Sequence, residues 1–271
     1  MNELETAIAI QDSDQRIEAL GAFVRIGSHG RMDEEQMAIF KKSQAAILAI
    51  PGHAEYYRDR ILKAREAYDT SGDDRIRFLH EWIKEQDGFR VLAQLPSVET
   101  VRILGEFLAD ERGKIGGPGP PPVMTEGRSM ESPNCYLALS ALHSLPLVNK
   151  PVAVKHANDD KDLETYRLWY AQIKSGNRTF RFEGDSTEYD LNGPAGPAKL
   201  KHINEARERD TQRATRHQAG SGAAGSGSGT ESPSSSASSP ASLTGILLAA
   251  GTLCLVAVWY FLRRMAAERG Q

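Results

Sequence analysis

Hydrophobic residues in the first 112 positions recur every three to four residues, the spacing that places them along one face of an α-helix. Four runs of this kind begin near Asp14, near Asp33, near His53 and at either Asp73 or Asp74, and Asp is a favoured N-cap residue. We therefore predict successive short helices that bury their apolar stripes against one another. The stripes are Ile17, Leu20, Phe23 and Val24; Met37, Phe40, Ile47 and Leu48; Tyr57, Ile61, Leu62 and Ala64; and Ile76, Leu79, Trp82 and Ile83.

A second pattern is a pair of helices separated by an insertion. Leu92 and Leu95 precede a break at Pro96, and Ser97 is the predicted N-cap of a helix whose apolar residues run from Val98 to Leu108. A helix rich in small residues then begins at Ser132 and Pro133 and carries Ala138, Ala141 and Leu142. The Gly/Pro-rich segment 113–132 lies between these two helices.

This pair resembles a HEAT-like α-helical repeat. The resemblance implies two antiparallel helices in each repeat, and repeats stacked into a solenoid that binds other macromolecules. It covers about 55 residues, roughly one repeat, and segment 113–132 replaces the short turn of that family. Residues 1–150 are therefore predicted to form a repeat-like helical domain.

The pattern changes after residue 150. Residues 160–176 predict a helix that carries Leu163, Tyr166, Leu168, Trp169, Tyr170 and Ile173. Alternation then places Phe180 and Phe182 on one face of a strand, with a turn at Gly184 and Asp185 and a return through Tyr189 and Leu191. Residues 151–198 should therefore hold an aromatic helix and a β-hairpin, and residues 199–218 a charged helix.

The last 53 or so residues combine a linker with a membrane span. Residues 219–242 are rich in Gly, Ser and Pro, a composition that does not order itself. The segment from Leu243 to Leu262 has no charged residue and, at about 1.5 Å per residue, spans about 30 Å as a helix. Trp259 and Tyr260 near its end, followed by Arg263 and Arg264, are typical of a helix that leaves lipid for the headgroups. Residues 263–271 form a basic tail.

Two rules give opposite orientations for this span. Arg263 and Arg264 follow the span, and no Lys or Arg occurs in residues 219–242. The positive-inside rule therefore places the C-terminus in the cytoplasm and the large domain outside. The acidic N-terminus lacks the basic and apolar regions of a signal peptide, which favours a cytoplasmic domain if Met1 is the true start. An export signal upstream of Met1 would restore the first arrangement. The sequence predicts a single-pass membrane protein and leaves the side open.

Composition and motifs give no chemical site. Charged residues make up 25% of the chain and the net charge is −3, which does not favour nucleic acid. The Gly-rich match at residues 220–225 has no strand before it, and Asp74 stands where a calcium loop beginning at Asp69 would need Gly. No paired His spacing or nucleophile motif occurs, so we predict no metal, no cofactor and no enzyme. Pro118 and Pro121 could form a polyproline ligand.

These patterns predict a mainly α protein with HEAT-like helical hairpins, a small β-hairpin and one C-terminal transmembrane helix. Its predicted function is that of a membrane-anchored protein-interaction module with a protein partner. An envelope-structural protein with an exported domain and an unrecognised hydrolase remain open as alternatives, since catalytic groups can assemble from distant positions.

Overall fold

The computed structural model describes residues 3–26, 32–119, 124–125, 128–129, 131–151, 159–201 and 203–205, with backbone alone at 124–125 and 128–129. The described residues belong to one compact unit. Within the described ranges the fold is mainly α, as predicted. The helices are α1 (Glu3–Ile8), α2 (Ser13–Ile26), α3 (Glu34–Leu48), α4 (His53–Thr70), α5 (Asp74–Trp82), α6 (Arg90–Leu92), α7 (Val98–Phe107), α8 (Asn134–Ser144) and α9 (Asp160–Lys174), with a π-helical segment, Ile83–Phe89, between α5 and α6.

The helices pack as hairpins around one apolar core. Helix α2 packs on α3, α4 on α5 and the π segment, and α7 on α8, while α4 also contacts α7 and α8 contacts α9. The hairpin arrangement is compatible with an α-helical repeat. The buried residues that join the hairpins include Leu20, Ile61, Leu92, Leu104 and Leu142. All core residues in the described ranges lie between Leu4 and Ile203.

Side-chain caps fix most of the helix starts at or next to the predicted residues. Asp33 accepts from the backbone N–H of Gln36 and forms a complete capping box, and Asp73 and Ser97 cap α5 and α7. The predicted cap at Asp14 is wrong by two residues. Asp12 Oδ1 accepts from the backbone N–H of Gln15 at 2.9 Å, which places Asp14 inside the first turn.

Short strands between and after helices α7, α8 and α9 form three antiparallel pairs in the described ranges. Strand β1 (Met124–Thr125) pairs with β2 (Arg128–Ser129), β3 (Leu147–Val148) with β4 (Arg181–Phe182), and β5 (Tyr189–Asp190) with β6 (Gly193–Pro194), all antiparallel. The predicted return from the Phe strand is present as one bridge between Phe180 and Tyr189. Phe182, however, pairs with Leu147, because the chain after α8 supplies a second strand partner.

Candidate functional site

Helix α5 exposes its apolar residues. Ile76, Phe78, Leu79 and Trp82 are 45%, 56%, 45% and 39% exposed. The prediction that α5 buries the stripe of Ile76, Leu79 and Trp82 is therefore wrong. These four side chains and Arg75, which is also exposed, form a surface that we call the α5 ridge.

Charged residues occupy the inward face of α5 in place of the apolar stripe. Glu81 is buried, and the Lys84 side chain one turn later is 1% exposed. Lys84 Nζ lies 2.7 Å from Glu81 Oε2 and donates to the Ser132 carbonyl at 2.8 Å, while Glu81 Oε1 accepts from the Ser132 backbone N–H. These bonds tie α5 to the start of the segment that leads into α8. They replace the hydration that the two charges lose on burial.

Burial is also the main influence on the Lys84 ammonium. It lowers the pKa of Lys84 from its ordinary value, against the opposing attraction of Glu81. A charged pair held in this way fixes the direction in which the helix faces, because turning α5 over would break the bonds of both groups to Ser132 and leave its N–H and carbonyl without these partners. The inward charges thus keep the apolar ridge outward.

A second buried ion pair lies beside the first. The Arg65 side chain on α4 and the Glu131 side chain are both 0% exposed and are in direct contact, and Arg65 Nε donates to Asp69 Oδ2 at 3.0 Å. Gly113 is in the left-handed region at φ 88°, and a Cβ there would lie 2.4 Å from Glu131 Oε1. Glycine at this position therefore lets the inserted segment close over the ion pair.

The π segment continues α5 and carries a third charged contact. Asp87 contacts Arg25 of α2 and accepts from Arg60 of α4 at 3.1 Å. A Cβ on Gly88 would lie 2.4 Å from Cγ1 of Ile61, so glycine permits the close approach of α4. The insertion of π geometry shifts the side chains that follow relative to an α-helix, and such segments often occur at functional sites.

A groove runs along α4 beside the α5 ridge. It has a volume of about 760 Å³. Its α4 side extends from Gly52, the residue before the helix, to Ala67 and carries both large and small side chains, whereas His80 and Ile83 line the α5 side. The ridge and the groove therefore form one continuous surface.

The charges at the groove are of both signs. Asp14, Glu55 and Asp59 contribute three carboxylates, and Arg60 and Lys63 contribute two cations. Arg102 contacts Glu55, and its hydrogen bond lowers the pKa of that carboxyl below its usual range although desolvation, the largest influence, acts to raise it. Asp59 contacts Arg58 at 3.0 Å and keeps 56% of its side chain exposed.

A guanidinium lies over the indole of the ridge. Arg25 Cζ is 5.7 Å from the centre of the Trp82 ring, within the range of a cation–π contact. Burial followed by repulsion from Arg60 lowers the pKa of Arg25, although the group stays cationic at any ordinary pH. Trp and Arg are among the residues that most often dominate binding energy at protein interfaces.

A His, a Ser and a Glu meet where α4 and α7 begin. His53 Nε2 lies 2.9 Å from Ser97 Oγ, and His53 Nδ1 lies 2.9 Å from the Ile50 carbonyl and 3.4 Å from Glu99 Oε2. The three residue types are those of a hydrolase triad. Ser97 Oγ, however, accepts from the Thr100 backbone N–H at 3.0 Å and contacts Thr100 Oγ1 at 2.9 Å.

These contacts give the three residues a structural role. Ser97 caps α7, and Glu99 Oε2 accepts from the Gly52 backbone N–H at 3.2 Å, so each helix start is held by the other. The buried His53 ring bridges the two starts. No sequence motif links positions 53, 97 and 99, which is why sequence reasoning missed this cluster.

The predicted site residues have mixed outcomes. Pro118 is exposed, whereas Pro121 lies outside the described residues. Leu243, Trp259, Tyr260, Leu262, Arg263 and Arg264 also lie outside them. Among the helices that the structure describes, none is both long and apolar enough to cross a membrane. The same ranges hold no group of three or more side chains suited to a metal ion.

Comparisons with known proteins found no matching family model, and they found no match among the curated proteins or the solved structures. The fold alone therefore assigns the class of protein, which is a mainly α domain of helical hairpins. Function is inferred from the α5 ridge and the groove.

Proposed function

We propose that the chain is a single-pass membrane protein whose HEAT-like helical domain is a protein-interaction module, with the α5 ridge and the groove as its docking surface. The observation that carries this proposal is the orientation of α5, which exposes Phe78 and Trp82 and buries Glu81 and Lys84. A large exposed apolar patch on a folded domain marks an interaction site.

The ridge has the rigidity that a docking surface needs. The Glu81–Lys84 pair and the backbone of Ser132 hold α5 in place, so little conformational freedom remains to be lost on binding. The groove adds a concave surface of about 22 Å along α4, at about 1.5 Å per residue from Gly52 to Ala67. A helix laid in a groove is a recurrent mode of protein recognition.

The membrane part of the proposal is supported by the charge-free sequence from Leu243 to Leu262. Extraction of membranes with alkaline carbonate tests it. The full chain should stay in the pellet, and a variant without residues 243–262 should move to the supernatant. Release of the full chain would contradict the anchor.

Site-specific photo-crosslinking tests the docking surface. A photoreactive residue at Phe78 should give a discrete protein adduct in native membranes, and one at Leu168 should not. Leu168 is the matched control because it is 60% exposed on α9, away from the ridge. Equal labelling from both positions, or adducts with lipid alone, would contradict protein docking at the ridge.

Protease accessibility separates this function from the envelope-structural alternative. Digestion of the domain in intact cells would place it outside, where an envelope role becomes the better explanation. Protection until the cells are permeabilised would place it in the cytoplasm. Protection would therefore favour the interaction module over the envelope role, and its partners would be sought in the cytoplasm.

A further inference from the structure

We infer that α5 has two registers and that the π-helical segment after it switches between them, so that the α5 ridge can be withdrawn from the surface. In the structure the segment Ile83–Phe89 is π-helical and α5 faces its apolar residues outward. In the second register this segment is α-helical, and each residue of α5 occupies the place now held by the residue before it. Control of docking by this exchange rests on the proposed function, whereas the exchange itself does not.

The geometry of a π segment gives the size of the movement. A π bulge accommodates one residue more than an α-helix of the same length. If the segment becomes α-helical while α6 stays fixed, the extra residue lengthens the helix, so α5 moves by about 1.5 Å along its axis and turns by about 100°. Trp82 then lies at the buried place of Glu81. Phe78 lies at the place of Arg77, whose side chain is 21% exposed.

The apolar pattern of the sequence fits the second register. Residues separated by three or four positions share one face of an uninterrupted α-helix. The residues with this spacing are Phe78, Trp82, Glu85, Phe89 and Leu92, and the last two are buried in the core. In the present register the π segment interrupts this stripe, and Glu81 is buried where an aromatic residue would otherwise lie. The two aromatic residues would extend the buried face of one continuous helix.

The backbone of Ser132 selects the present register. Its N–H donates to Glu81 Oε1 at 2.9 Å, and its carbonyl accepts from Lys84 Nζ at 2.8 Å. A movement of one residue takes Glu81 to the place of His80, which is partly exposed at the groove, so the bond to the Ser132 N–H breaks. The present register thus keeps polar bonds, whereas the second one gains the burial of two aromatic side chains. Contacts of opposite kind therefore balance the two states.

The chain before α5 has space for this movement. A Cβ placed on Gly72, in the connection from α4, would have no heavy atom of the described residues within 4 Å. Asp73 and Asp74, which follow it, are exposed. The π segment also leaves a polar atom unsatisfied, because Gln86 Oε1 is a buried atom without a hydrogen-bond partner among the described residues. The present register is therefore open to competition from a second one.

The exchange decides what the ridge presents to a partner. In the second register Phe78 and Trp82 leave the surface, and Arg77 moves to the exposed place of Ile76. A partner that binds the aromatic side chains stabilises the first register, because a ligand shifts the population toward the state it binds better. Displacement of Ser132, at the end of segment 113–132, would favour the second register.

Fluorine NMR of the full chain, labelled with 5-fluorotryptophan in detergent micelles, tests the inference. The chain has three Trp residues, and Trp82→Phe identifies the Trp82 resonance. In the wild type a soluble gadolinium chelate should broaden this resonance. Glu81→Ala removes the bond to Ser132, so a second Trp82 resonance, shielded from the chelate, should appear at the expense of the first. Arg75→Ala removes an exposed charge from the same helix and should leave the wild-type spectrum.

A deletion distinguishes a change of register from a local loss of structure. Without Gln86 the segment has the number of residues of an α-helix, so α5 should keep its outward register without π geometry. Glu81→Ala combined with this deletion should show only the Trp82 resonance that the chelate broadens. A shielded resonance in the combined variant, or none in Glu81→Ala alone, would overturn the two registers.

Glu85→Leu gives an independent measurement if Glu81→Ala fails to fold, judged by its far-ultraviolet circular dichroism. Leucine at this position completes the apolar stripe of the second register and leaves the bond from Ser132 to Glu81 in place. The shielded Trp82 resonance should therefore increase. An unchanged spectrum in a folded Glu85→Leu protein would overturn the inference.

Failure of the inference is distinct from failure of the proposed function, because the NMR measurement needs no partner. Two registers in a chain that gives no protein adduct from Phe78 would support the exchange and refute docking at the ridge. A discrete adduct from Phe78 in a chain whose variants show one register would refute the exchange and leave the interaction module intact.

Discussion

Helices α5 and α7 both pack against α4, but they present opposite kinds of surface to the protein interior. Helix α7 buries Val101, Leu104 and Phe107, whereas the α5 region buries Glu81 and Lys84 and exposes Phe78 and Trp82. Apolar burial stabilises the fold in proportion to the area removed from water. Buried ion pairs contribute little net stability, because desolvation offsets their attraction.

The difference indicates that the α4–α5 contact fixes the orientation of α5, whereas the apolar α4–α7 contact contributes mainly to stability. A well-packed apolar contact in place of the α5 ion pairs would be equally or more stable. The chain instead keeps its large apolar residues outside. Exposed apolar residues lower solubility, and their exposure on α5 is explained if a protein partner covers the ridge.

The largest expected effect comes from breaking a buried ion pair. Arg65→Met removes the guanidinium that contacts the Glu131 carboxylate, whose side chain is 0% exposed, and should lower the free energy of unfolding by about 3–5 kcal/mol. Urea denaturation measures the change. Glu205→Gln, which removes an exposed pair with Lys201, is the control and should cost at most about 1 kcal/mol. Equal losses in the two variants would refute the distinction between buried and exposed pairs.

A comparable loss of stability should follow from a cavity in the apolar contact made by α7. Leu104 is 0% exposed on α7, and Leu104→Ala should lower the free energy of unfolding by about 2–5 kcal/mol through lost transfer energy and a residual cavity. Leu79→Ala on α5 removes the same atoms from an exposed site and should change it by about 0.5 kcal/mol or less. A loss of several kcal/mol for Leu79→Ala would show that the ridge is part of the core.

Acid should weaken a contact that holds the start of α8. Burial acts to raise the pKa of Asp110, but hydrogen bonds from Arg112 and Asn134 outweigh it and hold the pKa below its ordinary value. A depressed folded-state pKa gives stability that is present above the unfolded value, about 3.9, and is lost as the pH falls through the folded value.

Asp110→Asn should therefore cost about 1.5–3 kcal/mol at neutral pH. This difference from the wild type should shrink as the pH falls below the unfolded value of about 3.9 and through the lowered pKa of the folded carboxyl, where the wild-type carboxyl becomes protonated as well. Chemical denaturation over a series of pH values measures it. A difference that stays constant with pH would show that the carboxylate charge is not what holds Arg112 and Asn134.

The helix starts and the mainly α fold could be predicted from sequence, because caps and helical periodicity are local signals. Asp33 and Ser97 were identified from residue type and position alone, and the structure confirms both. The sequence left Asp73 and Asp74 as alternatives for the start of α5, and the structure shows that Asp73 is the cap. The candidate site could not be predicted. Ile76, Leu79 and Trp82 have the spacing of a buried stripe, and only tertiary partners such as Ser132 show that the opposite face is buried.

A smaller loss should follow from removing the cap that joins α4 and α7. Ser97→Ala deletes the acceptor for the Thr100 N–H and the contact with His53, and should cost about 0.5–2 kcal/mol. Thermal unfolding measures it. If Ser97 served instead as a hydrolase nucleophile, a fluorophosphonate would label the wild type and not Ser97→Ala, and that result would replace the structural interpretation.

The smallest effect on stability, and the largest on binding, is expected at Phe78. Phe78→Ser removes an aromatic ring that is 56% exposed, so the free energy of unfolding should change by about 0.5 kcal/mol or less, whereas a buried Phe costs about 3–5 kcal/mol when it is cut back. Crosslinking to a protein partner through the ridge should be lost in the same variant. Folding and docking are measured on the same variant. A stable Phe78→Ser protein that still docks would show that Phe78 is not part of the interface. A strongly destabilised one would show that the Phe78 face of α5 is part of the core.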